Sequence, residues 1–446
     1  MRRMKDSGIE WIGKIPENWN EPPLKSRYSF GKGLSITKAD LSDEGAQVIS
    51  YGQIHSKDNN GVSTKEEIIR HIPWNHSNLT STARTQPGDL IFADTSEDLQ
   101  GCGNCVYINR EDVYAGYHTL FLHPKAKNSG RYFAYLFASD AWRAQIREKV
   151  TGVKLFSITQ DILKSTVLLE PPVDEQERIV QFLDEKCKSI DNLIDQKEKS
   201  ITLLKERRQS IIYEAVTKGL DPNIPLKDSG IEWLGQIPEK WGIACLKRLG
   251  IASTGSTPSK DHSEYWDGDI PWVSPKDMKT DYLADSEDHI TKAAVSECGL
   301  TVFDEHTLLF CVRSGILRHT FPVCVTKQKV TINQDLRAMI LSKEILPSYL
   351  LYYLRGINDV IITLYQKVGA TVESIEMDWF IYLPVVLPSK NEQTEIVNYL
   401  YDQCEKINTI ILKNNETITK LKEYRQSLIY EVVTGKKEIH NAVYKI

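Results

Sequence analysis

Two segments of this chain each occur twice, and this internal duplication limits the possible folds more than any other feature of the sequence. Residues 5–19 read KDSGIEWIGKIPENW and residues 227–241 read KDSGIEWLGQIPEKW, with 12 of 15 positions identical. Residues 175–217 align without a gap with residues 392–434, and 21 of these 43 positions are identical. The chain therefore consists of a short tag, a domain and a long segment, followed by a second copy of the same arrangement.

The stretches between the repeated segments differ from each other. Residues 20–172 contain GKGLSITKADL and FADTSEDL, whereas residues 242–389 contain STGSTPSKDHSEYWDGDIPW and LLFCVRSGILRHTF. A shared frame around unlike inserts indicates that the two halves have the same geometry and that each insert recognises something different.

Both long repeated segments are predicted to be helices that pair with each other. Neither contains Pro or Gly, and apolar residues recur at alternating steps of three and four, which is typical of a coiled-coil seam. The predicted seam residues are Leu183, Ile190, Ile194, Ile201 and Leu204 in the first helix and Leu400, Ile407, Ile411, Ile418 and Leu421 in the second. Lys197 and Asn414 interrupt the two stripes at the same slot, where they either fix the register or reach out to solvent.

We expect the two helices to run antiparallel, because a duplicated unit closes best around an internal two-fold axis. A helix of about 40 residues is roughly 60 Å long and can hold two domains apart. A coiled coil between two separate chains is the alternative at this point.

Turn residues and hydrophobic patterns predict the domain organisation. We predict a first domain over residues 1–173, a first helix over 174–218, a second domain over 219–390, a second helix over 391–436 and a tail over 437–446. Apolar runs at 89–93 and 308–312 predict strands, largely antiparallel or mixed, and residues 131–149 and 348–354 predict helices. The fold class is α+β: two mixed α/β domains, joined by two long helices that form an antiparallel coiled coil, with an internal pseudo-two-fold repeat.

Composition and motifs favour a binding protein over an enzyme. The phosphate-loop, dinucleotide-loop, HExxH and GxSxG patterns are all missing, so we predict no catalytic residue and no metal site. Cys102 and Cys105 lack a second ligand pair and indicate a turn with two reduced thiols. The net charge of −5 counts against DNA binding by a basic surface as a whole, but not against a local basic cleft. No apolar run is long enough to span a membrane and no secretory signal is present, so we expect a cytoplasmic protein.

Several motifs together resemble one family. Both helices begin with Glu-Gln-x-x-Ile-Val, at 175–180 and 392–397, and the tags precede each insert. With STGSTPS at 253–259, EYWDGDIPWVSPKDM at 264–278 and INQDLRAM at 332–339, the whole chain resembles the specificity subunit of type I restriction–modification systems.

The resemblance implies a DNA-reading protein without a cofactor of its own. Each domain would be a target-recognition domain that reads one half of a split site in double-stranded DNA, and the helices would set the spacer. Two modification subunits would bring S-adenosylmethionine and methylate adenine. Restriction subunits would bring ATP hydrolysis and Mg-dependent cleavage. A scaffold whose two domains bind proteins, and a standalone nuclease with an unrecognised site, are the alternatives.

Polar loop residues are the candidates for DNA contact, because bases are read by side chains that donate or accept hydrogen bonds and phosphates attract Lys and Arg. The candidates are Lys32, Ser35, Thr37, Lys38, Tyr51, Gln53, His55, Thr95, Ser96 and Lys154 in the first domain, and Ser256, Thr257, Ser259, Lys260, Lys276, Arg313, Ser314, Arg318 and Lys367 in the second. Tyr51, Gln53 and His55 are expected on an alternating stretch that places them on one face. An ordinary turn or a solvated charge is the alternative for each residue.

Two further groups of residues have predicted roles. Tyr213, Glu214, Tyr430 and Glu431 recur at the two helix ends and either bind the modification subunits or pack within the chain. The tryptophans of the tags, Trp11, Trp19, Trp233 and Trp241, are expected to be structural anchors.

Overall fold

The computed structural model describes residues 2–10, 12–126, 130–367 and 371–439. The chain divides into two compact units, one of residues 1–197 with 416–446 and one of residues 198–415. Each unit holds one insert, which we call the first head (residues 20–172) and the second head (residues 242–389), together with part of each long helix. Trp11 and most of the predicted tail, residues 440–446, lie outside the described residues.

The first half of the chain folds into small sheets, short helices and one long helix. The strands are β1 (Met4–Asp6), β2 (Lys14–Pro16), β3 (Tyr28–Lys32), β4 (Ala46–Ile49), β5 (Arg70–Ile72), β6 (Leu90–Ala93), β7 (Thr95–Ser96), β8 (Cys105–Tyr107), β9 (Val113–Ala115), β10 (Thr119–Pro124) and β11 (Phe156–Ser157). The α-helices are α1 (Leu24–Arg27), α2 (Tyr51–Ile54), α3 (Gly130–Ala138), α4 (Asp140–Arg147), α5 (Gln160–Lys164) and α6 (Val173–Lys218). Single 3₁₀ turns occur at Lys38–Asp40, Glu66–Ile68 and Ser81–Ala83.

The second half follows the same plan. Its strands are β12 (Leu226–Asp228), β13 (Gln236–Pro238), β14 (Gly242–Cys245), β15 (Gly250–Thr254), β16 (Trp266–Val273), β17 (Tyr282–Leu283), β18 (Asp288–Ile290), β19 (Leu308–Cys311), β20 (Val323–Thr326), β21 (Thr331–Ile332), β22 (Leu336–Leu341) and β23 (Pro384–Leu387). Its α-helices are α7 (Leu246–Leu249), α8 (Lys292–Glu297), α9 (Pro347–Gly356), α10 (Asn358–Tyr365), α11 (Met377–Phe380) and α12 (Lys390–Val433). Its 3₁₀ turns are Ser263–Tyr265, Pro275–Asp277 and Gly315–Arg318.

The two heads share a topology that their sequences do not reveal. The first head has a sheet of order β3-β10-β6-β8 and the second has β15-β22-β19-β20-β17. A second sheet of order β5-β4-β9 in the first head corresponds to β18-β16-β21 in the second. Each of these three-stranded sheets has one parallel pair, β4 with β9 and β16 with β21, and one antiparallel pair. The main sheet of the first head is antiparallel, and that of the second has one parallel pair, β17 with β20. The predicted α+β class with mixed strands is confirmed.

The local predictions were mostly confirmed, with one break that the sequence pattern did not predict. Strands β6 and β19 and helix α9 form where expected. The expected helix over 131–149 is instead two helices, α3 and α4, separated at Ser139. The Ser139 hydroxyl donates to the carbonyl of Leu136 and accepts from the backbone N–H of Trp142, so it caps α4 in an extended backbone conformation.

The long helices run antiparallel in each unit. In the second unit Ser200 of α6 contacts Asn414 of α12, and Arg208 donates to Asn408 at 2.6 Å, so the partner numbers rise along one helix and fall along the other. In the first unit the Trp19 indole donates to Glu175 at the start of α6 and packs against Gly435 just past α12. The antiparallel pairing within one chain is therefore confirmed.

The predicted seam lies at the helix interface. Six of the ten predicted seam residues are buried, namely Leu183, Ile190, Ile194, Leu400, Ile407 and Ile418. The other four are half-buried, namely Ile201, Leu204, Ile411 and Leu421. Asn414, one of the two polar interruptions, is also buried and donates to the hydroxyl of Ser200 at 3.4 Å. A buried amide that bonds across the seam supports the register role proposed for it.

Each head is anchored to the helices by equivalent buried aromatic residues. The Tyr132 hydroxyl lies within hydrogen-bond distance of the carbonyls of Leu169 and Val433, at 3.0 and 3.3 Å. In the second unit the Tyr349 hydroxyl does the same with Val386 and Val216, at 3.0 and 3.2 Å. Each head therefore contacts the end of the long helix that belongs to the other half of the sequence.

The tag tryptophans are packed as predicted where the structure describes them. Trp19 and Trp241 are buried, and their indoles donate to Glu175 and Glu392 at the starts of α6 and α12. Trp233 is half-buried against the second core. None of the described helices is long and apolar enough to cross a membrane.

Candidate nucleic-acid interface

Several strand ends of the first head meet at one edge of its main sheet. The last residue of β3, Lys32, pairs with Leu120 near the start of β10, and Ala93 at the end of β6 pairs with Thr119. Loops that follow or precede these strand ends therefore lie side by side. We call residues 32–38, 51–55, 94–98 and 116–118 the first edge. It contains every predicted DNA-contact residue of the first head except Lys154.

The corresponding loops of the second head meet in the same way. Thr254 at the end of β15 pairs with Arg337 of β22, and Cys311 at the end of β19 pairs with Leu336. We call residues 254–260, 313–318, 334–337 and 373–376 the second edge. It contains the predicted residues Ser256, Thr257, Ser259, Lys260, Arg313, Ser314 and Arg318. The backbone N–H of Lys367 donates to Ser374 at 2.8 Å, which places Lys367 beside this edge.

One glycine in each head allows two loops to approach closely. A Cβ atom on Gly33 would lie 1.9 Å from the carbonyl oxygen of Gly116, and one on Gly255 would lie 1.8 Å from that of Ile332. A separation below 3.0 Å to a backbone atom cannot be relieved by a side-chain movement. Glycine is therefore needed at both positions because the main chains touch there, not because of its turn propensity.

Residues 51–55 do not form the alternating stretch that the sequence predicted. Residues 51–54 fold into the short helix α2, followed by His55 as its C-cap, and the N-cap residue Ser50 forms a capping box with Gln53. Tyr51 and His55 still share a face, four residues apart on a helical turn, with ring centroids 6.3 Å apart. The Gln53 side chain points back toward Ser50, and its Oε1 accepts a hydrogen bond from the Ser50 backbone N–H at 3.2 Å. The prediction of one common face is thus wrong for Gln53.

Hydrogen bonds occupy both ring nitrogens of His55. Its Nε2 lies 2.8 Å from the carbonyl of Thr95, and its Nδ1 lies 3.1 Å from the amide nitrogen of Asn104. A neutral ring that donates from Nε2 and accepts at Nδ1 satisfies both contacts. His55 therefore holds the Thr95 strand in place and has no free ring nitrogen for a ligand.

Two of the other predicted residues of the first head have structural roles as well. Ser96 is buried, and its hydroxyl donates to the carbonyl of Asp98 at 2.7 Å. The Thr37 hydroxyl donates to Asp40, and the backbone and side-chain donors of Thr37 lower the pKa of that carboxyl. Lys32, Ser35, Lys38 and Lys154 are exposed, and Thr95 is half-buried.

The loop over 254–260 in the second head is held by aromatic and polar side chains. The indole N–H groups of Trp272 and Trp266 donate to the carbonyls of Ser256 and Ser259, at 3.0 and 3.1 Å. The Thr257 hydroxyl donates to Gln334 Oε1 at 2.6 Å. These bonds fix the backbone and leave the side chains of Ser256, Ser259 and Lys260 exposed.

Three of the four predicted cations of the second head outside that loop have acidic partners. Arg318 pairs with Glu373 and lowers the pKa of that carboxyl, and Lys367 lies 3.9 Å from Glu376. Lys276 lies 2.9 Å from Asp288, and this hydrogen bond raises the pKa of Lys276. Arg313 is exposed just past the end of β19 and is in no ion pair with an acid among the described residues. The positive charge available at this edge therefore comes mainly from the exposed Arg313 and Lys260 and the half-buried Arg337.

Four further residues lie on the edges that the sequence did not indicate, Tyr117 and His118 on the first and Gln334 and Arg337 on the second. Tyr117, His118 and Gln334 occur in loops between strands that pair with distant partners, and Arg337 lies in β22, so the position of all four depends on long-range contacts. His118 adopts a φ of 52°, a left-handed conformation that is unusual outside glycine. The segment AGYHT carries no glycine or asparagine at that position to indicate it.

The repeated ends of α6 and α12 are packed differently in the two units. In the second unit Gln209 donates to the carbonyls of Arg355 and Gly356 at 2.9 Å, and Gly356 packs tightly on Val216. In the first unit Ser139 takes the place of Gly356, and Gln426 instead lines an open polar cleft of about 720 Å³ with Arg143 and Arg147.

The predicted partner-binding residues at these ends also make contacts within the chain. The Tyr213 hydroxyl donates to the carbonyl of Trp233 at 3.4 Å, and the Lys436 ammonium lies 4.2 Å from the centre of the Tyr430 ring. Glu214 is exposed and Glu431 is half-buried. The tyrosines thus support the packing alternative, and the acids remain accessible in part.

The cysteines at 102 and 105 are both buried thiols. Burial raises the pKa of the Cys105 thiol to about 12, which makes it a poor metal ligand at neutral pH. Within the described ranges, no cluster of three or more His, Cys, Asp or Glu side chains could hold a metal ion.

Comparison with known proteins gives a consistent match. The family model of the type I restriction modification DNA specificity domain matches this chain twice, over residues 16–203 and 238–423. Each match covers one head and runs into the long helix that follows it.

Similar proteins include three named relatives. The specificity subunit of a type I restriction enzyme from Escherichia coli is 32% identical over 209 residues, which are 46% of this chain and 48% of that protein. The specificity subunit of the MjaIX enzyme from Methanocaldococcus jannaschii is 32% identical over 203 residues, 42% of this chain and 43% of that protein. The chain thus spans about half the length of these two relatives. The putative specificity subunit of the MjaX enzyme from the same organism is 24% identical over 446 residues, with 95% of both chains covered.

Two solved structures have a similar fold. A chain from a study of complex assembly and conformational transition of the type I R-M system has a TM-score of 0.72, with 16% identity over 95% of this chain and 99% of that chain. The HsdS subunit from Thermoanaerobacter tengcongensis has a TM-score of 0.51, with 16% identity over 95% of this chain and 98% of that one. At these identities the similarity concerns the fold alone.

Proposed function

The chain belongs to the family of the type I restriction modification DNA specificity domain, and from this premise we propose that it is the non-catalytic specificity subunit of a type I restriction–modification system. It binds double-stranded DNA and directs adenine methylation and restriction by partner subunits. The observation that carries this proposal is the pair of equivalent edges on heads of one topology, which present different side chains. A repeated frame with different edges suits a bipartite target whose halves differ in sequence.

In this proposal each edge contacts one half of the target. The exposed cations Lys32, Lys38, Lys154, Lys260 and Arg313 contact phosphates, and the polar loop residues Ser35, Thr37, Tyr51, Thr95, Ser256, Thr257, Ser259 and Ser314 lie toward the groove. Less positive charge comes from Lys276, Arg318 and Lys367, because each is paired with an acid. The loops of the first edge are supported by Gln53, His55 and Ser96. A few local cations account for DNA binding by a chain with a net charge of −5.

The antiparallel helices α6 and α12 set the spacer between the two halves. Their seam is apolar, and the buried Asn414 restricts the register, so the pair behaves as a stiff element of defined length. We include this measuring role in the proposal because both helices keep the same seam residues in the repeat.

The proposed partners are two modification subunits and the restriction subunits, acting in the cytoplasm. S-adenosylmethionine, ATP and Mg²⁺ act on those partners in this scheme. The exposed Glu214 and the half-buried Glu431, one at each repeated helix end, are the proposed contacts for two copies of one partner. Tyr213 and Tyr430 position these helix ends by the packing described above.

Exchange of one head tests modular recognition. Residues 20–172 are replaced by the corresponding head of another family member, and the chain is produced with its modification subunits. Because each edge lies within one head, we expect one half of the methylated motif to change while the other half and the spacer stay the same. Sequencing of methylated adenines in the host genome measures this. Replacement of residues 242–389 is the reciprocal control.

The same preparation separates the two alternatives. A protein-binding scaffold would not bind duplex DNA in a salt-dependent way. For a DNA-binding complex, the logarithm of the association constant should fall linearly with the logarithm of the salt concentration. A standalone nuclease would cleave DNA with Mg²⁺ in the absence of partner subunits. A change in both halves after exchange of one head would contradict modular reading.

A further inference from the structure

The loop between β9 and β10, residues 116–118, lies at an exposed edge but is held by several hydrogen bonds. Each of its three carbonyls accepts a hydrogen bond: that of Gly116 from the Thr119 hydroxyl at 2.7 Å, that of Tyr117 from the backbone N–H of Tyr51 at 3.2 Å, and that of His118 from the backbone N–H of Asp94 at 3.1 Å. A loop whose carbonyls are all satisfied has little freedom to rearrange. Its side chains are therefore presented in a fixed orientation.

The side chain at the tip of this loop is a histidine in a strained conformation. His118 has a φ of 52°, which costs a non-glycine residue of order 1 kcal/mol or more and persists only where the surroundings enforce it. Its ring packs edge-on against Tyr51 and Tyr117, at centroid distances of 5.5 and 6.1 Å. The side chain nevertheless remains 59% exposed. Strain that keeps a polar side chain exposed is typical of a functional position.

The ring of His118 lies beside an acid. Its Nδ1 is 3.4 Å from the buried Asp94 Oδ1, a contact that does not have hydrogen-bond geometry, and its Nε2 has no partner among residues that the structure describes. A ring whose Nδ1 proton faces a carboxylate offers Nε2 as an acceptor. In the major groove the matching donors are the amino groups of adenine and cytosine.

The equivalent loop of the second head, residues 333–335 between β21 and β22, is held in a comparable way. Arg337 donates to the Gln334 carbonyl at 3.0 Å, and the Asn333 amide makes a local turn with Asp335. The exposed Gln334 side chain accepts the Thr257 hydroxyl at Oε1, which sets the orientation of its amide. The amide N–H groups and the second lone pair of Oε1 remain available. This is the pair of groups that a glutamine uses to contact N7 and N6 of adenine.

We propose that these two loops, which we call the readout loops (residues 116–118 and 333–335), carry one base-contacting side chain in each head, His118 and Gln334. His118 contacts a base with an exposed amino group in one half-site, and Gln334 contacts adenine in the other. The inference rests on the proposed function and adds to it two residues that contact bases, whereas Thr257 and Arg337 act by positioning Gln334.

Single substitutions in the complex with modification subunits test the readout loops. We expect His118→Ala to relax one base position in one half-site, and Gln334→Ala to relax one position in the other, with about a tenfold or greater loss of discrimination there. Gln334→Glu can only accept hydrogen bonds and should shift the preference at its position from adenine to cytosine. The readout is the methylated-adenine motif across a host genome, together with anisotropy titrations of duplexes that carry the wild-type motif or single base changes.

Controls and opposing outcomes are built into the chain. Lys125→Ala, just past the far end of β10, and Lys343→Ala, just past the far end of β22, should leave the motif unchanged. In each variant one head carries no substitution, and continued recognition of its half-site shows that the protein is folded. An unchanged motif in His118→Ala and Gln334→Ala would overturn the assignment, as would loss of both halves with either variant. If instead the wild-type complex recognised no bipartite site, the proposed function would fail before the readout loops were tested.

Discussion

At the scale of single residues, the close contacts between loops place the strongest demands on the chain. Gly33 and Gly255 occupy equivalent positions, although the surrounding segments, GKGLS and STGSTPS, have little else in common. Both meet a backbone carbonyl that has no room to move. The sequence identified these segments as candidate loops, but the need for glycine comes from a backbone segment more than 75 residues away in the sequence.

Substitution of either glycine should disturb its own head. We expect Gly33→Ala and Gly255→Ala each to lower the free energy of unfolding by about 1–3 kcal/mol, because the new methyl group overlaps a backbone oxygen. Urea unfolding measures this, and the methylated motif should weaken in the corresponding half only. Gly52→Ala and Gly242→Ala are matched controls, since no atom lies within 4 Å of the added Cβ. Equal stability of Gly33→Ala and Gly52→Ala would show that the loops can separate without cost.

At the scale of secondary structure elements, the heads are fastened to the helices by buried hydroxyl groups. Tyr132 and Tyr349 lie at equivalent positions and contact the last turns of α12 and α6. Burial raises the pKa of both tyrosines well above that of an exposed phenol. Their anchoring therefore depends on the neutral form.

This burial predicts a loss of stability at high pH. The folded-state pKa of each tyrosine exceeds the unfolded value near 10, so its stabilising contribution is complete below about pH 10 and declines as the pH rises further. We expect the urea midpoint of the wild type to fall above that pH, and that of Tyr132→Phe/Tyr349→Phe to fall less steeply. Near pH 8 each substitution should cost about 1 kcal/mol through the lost hydrogen bond. Tyr424→Phe, at an exposed position, should change neither value.

Predictions of elements from the sequence succeeded where the signal was local. The long helices, β6, β19 and α9 follow from hydrophobic periodicity and helix-breaking residues. Residues 51–55 were mistaken for an alternating stretch because Tyr-x-Gln-x-His has the period of a strand, whereas the Ser50–Gln53 capping box starts a helical turn there. The break at Ser139 had the same cause, a serine that serves as an N-cap.

At the scale of the whole molecule, the proposed spacer function makes the length of the paired helices a measurable property. Residues 196–202 and 413–419 are equivalent positions of the repeat and contain one heptad each. Their joint deletion keeps the seam in phase and shortens each helix by about 10 Å. We expect the spacer of the methylated motif to shorten by about three base pairs, with both half-sites unchanged.

A deletion of four residues from each helix is the matched control for this experiment. It breaks the seven-residue repeat of the seam, so we expect lower stability and loss of methylation instead of a new spacer. A spacer that stayed the same after the heptad deletion would show that the helices do not measure the distance between half-sites.

The sequence by itself determined the features that are written in adjacent or regularly spaced residues: the duplication, the two helices with their seam, and the tags with their tryptophan anchors. These depend on periodicity and identity along the chain. Only the tertiary structure decided which loops share an edge, why Gly33 and Gly255 are required, and that His118 and Gln334 occupy the tips of equivalent loops. The physical reason is that the sheets pair strands out of sequence order, β3 with β10 and β15 with β22, so the edges are built from contacts between residues that are about 80 to 90 positions apart.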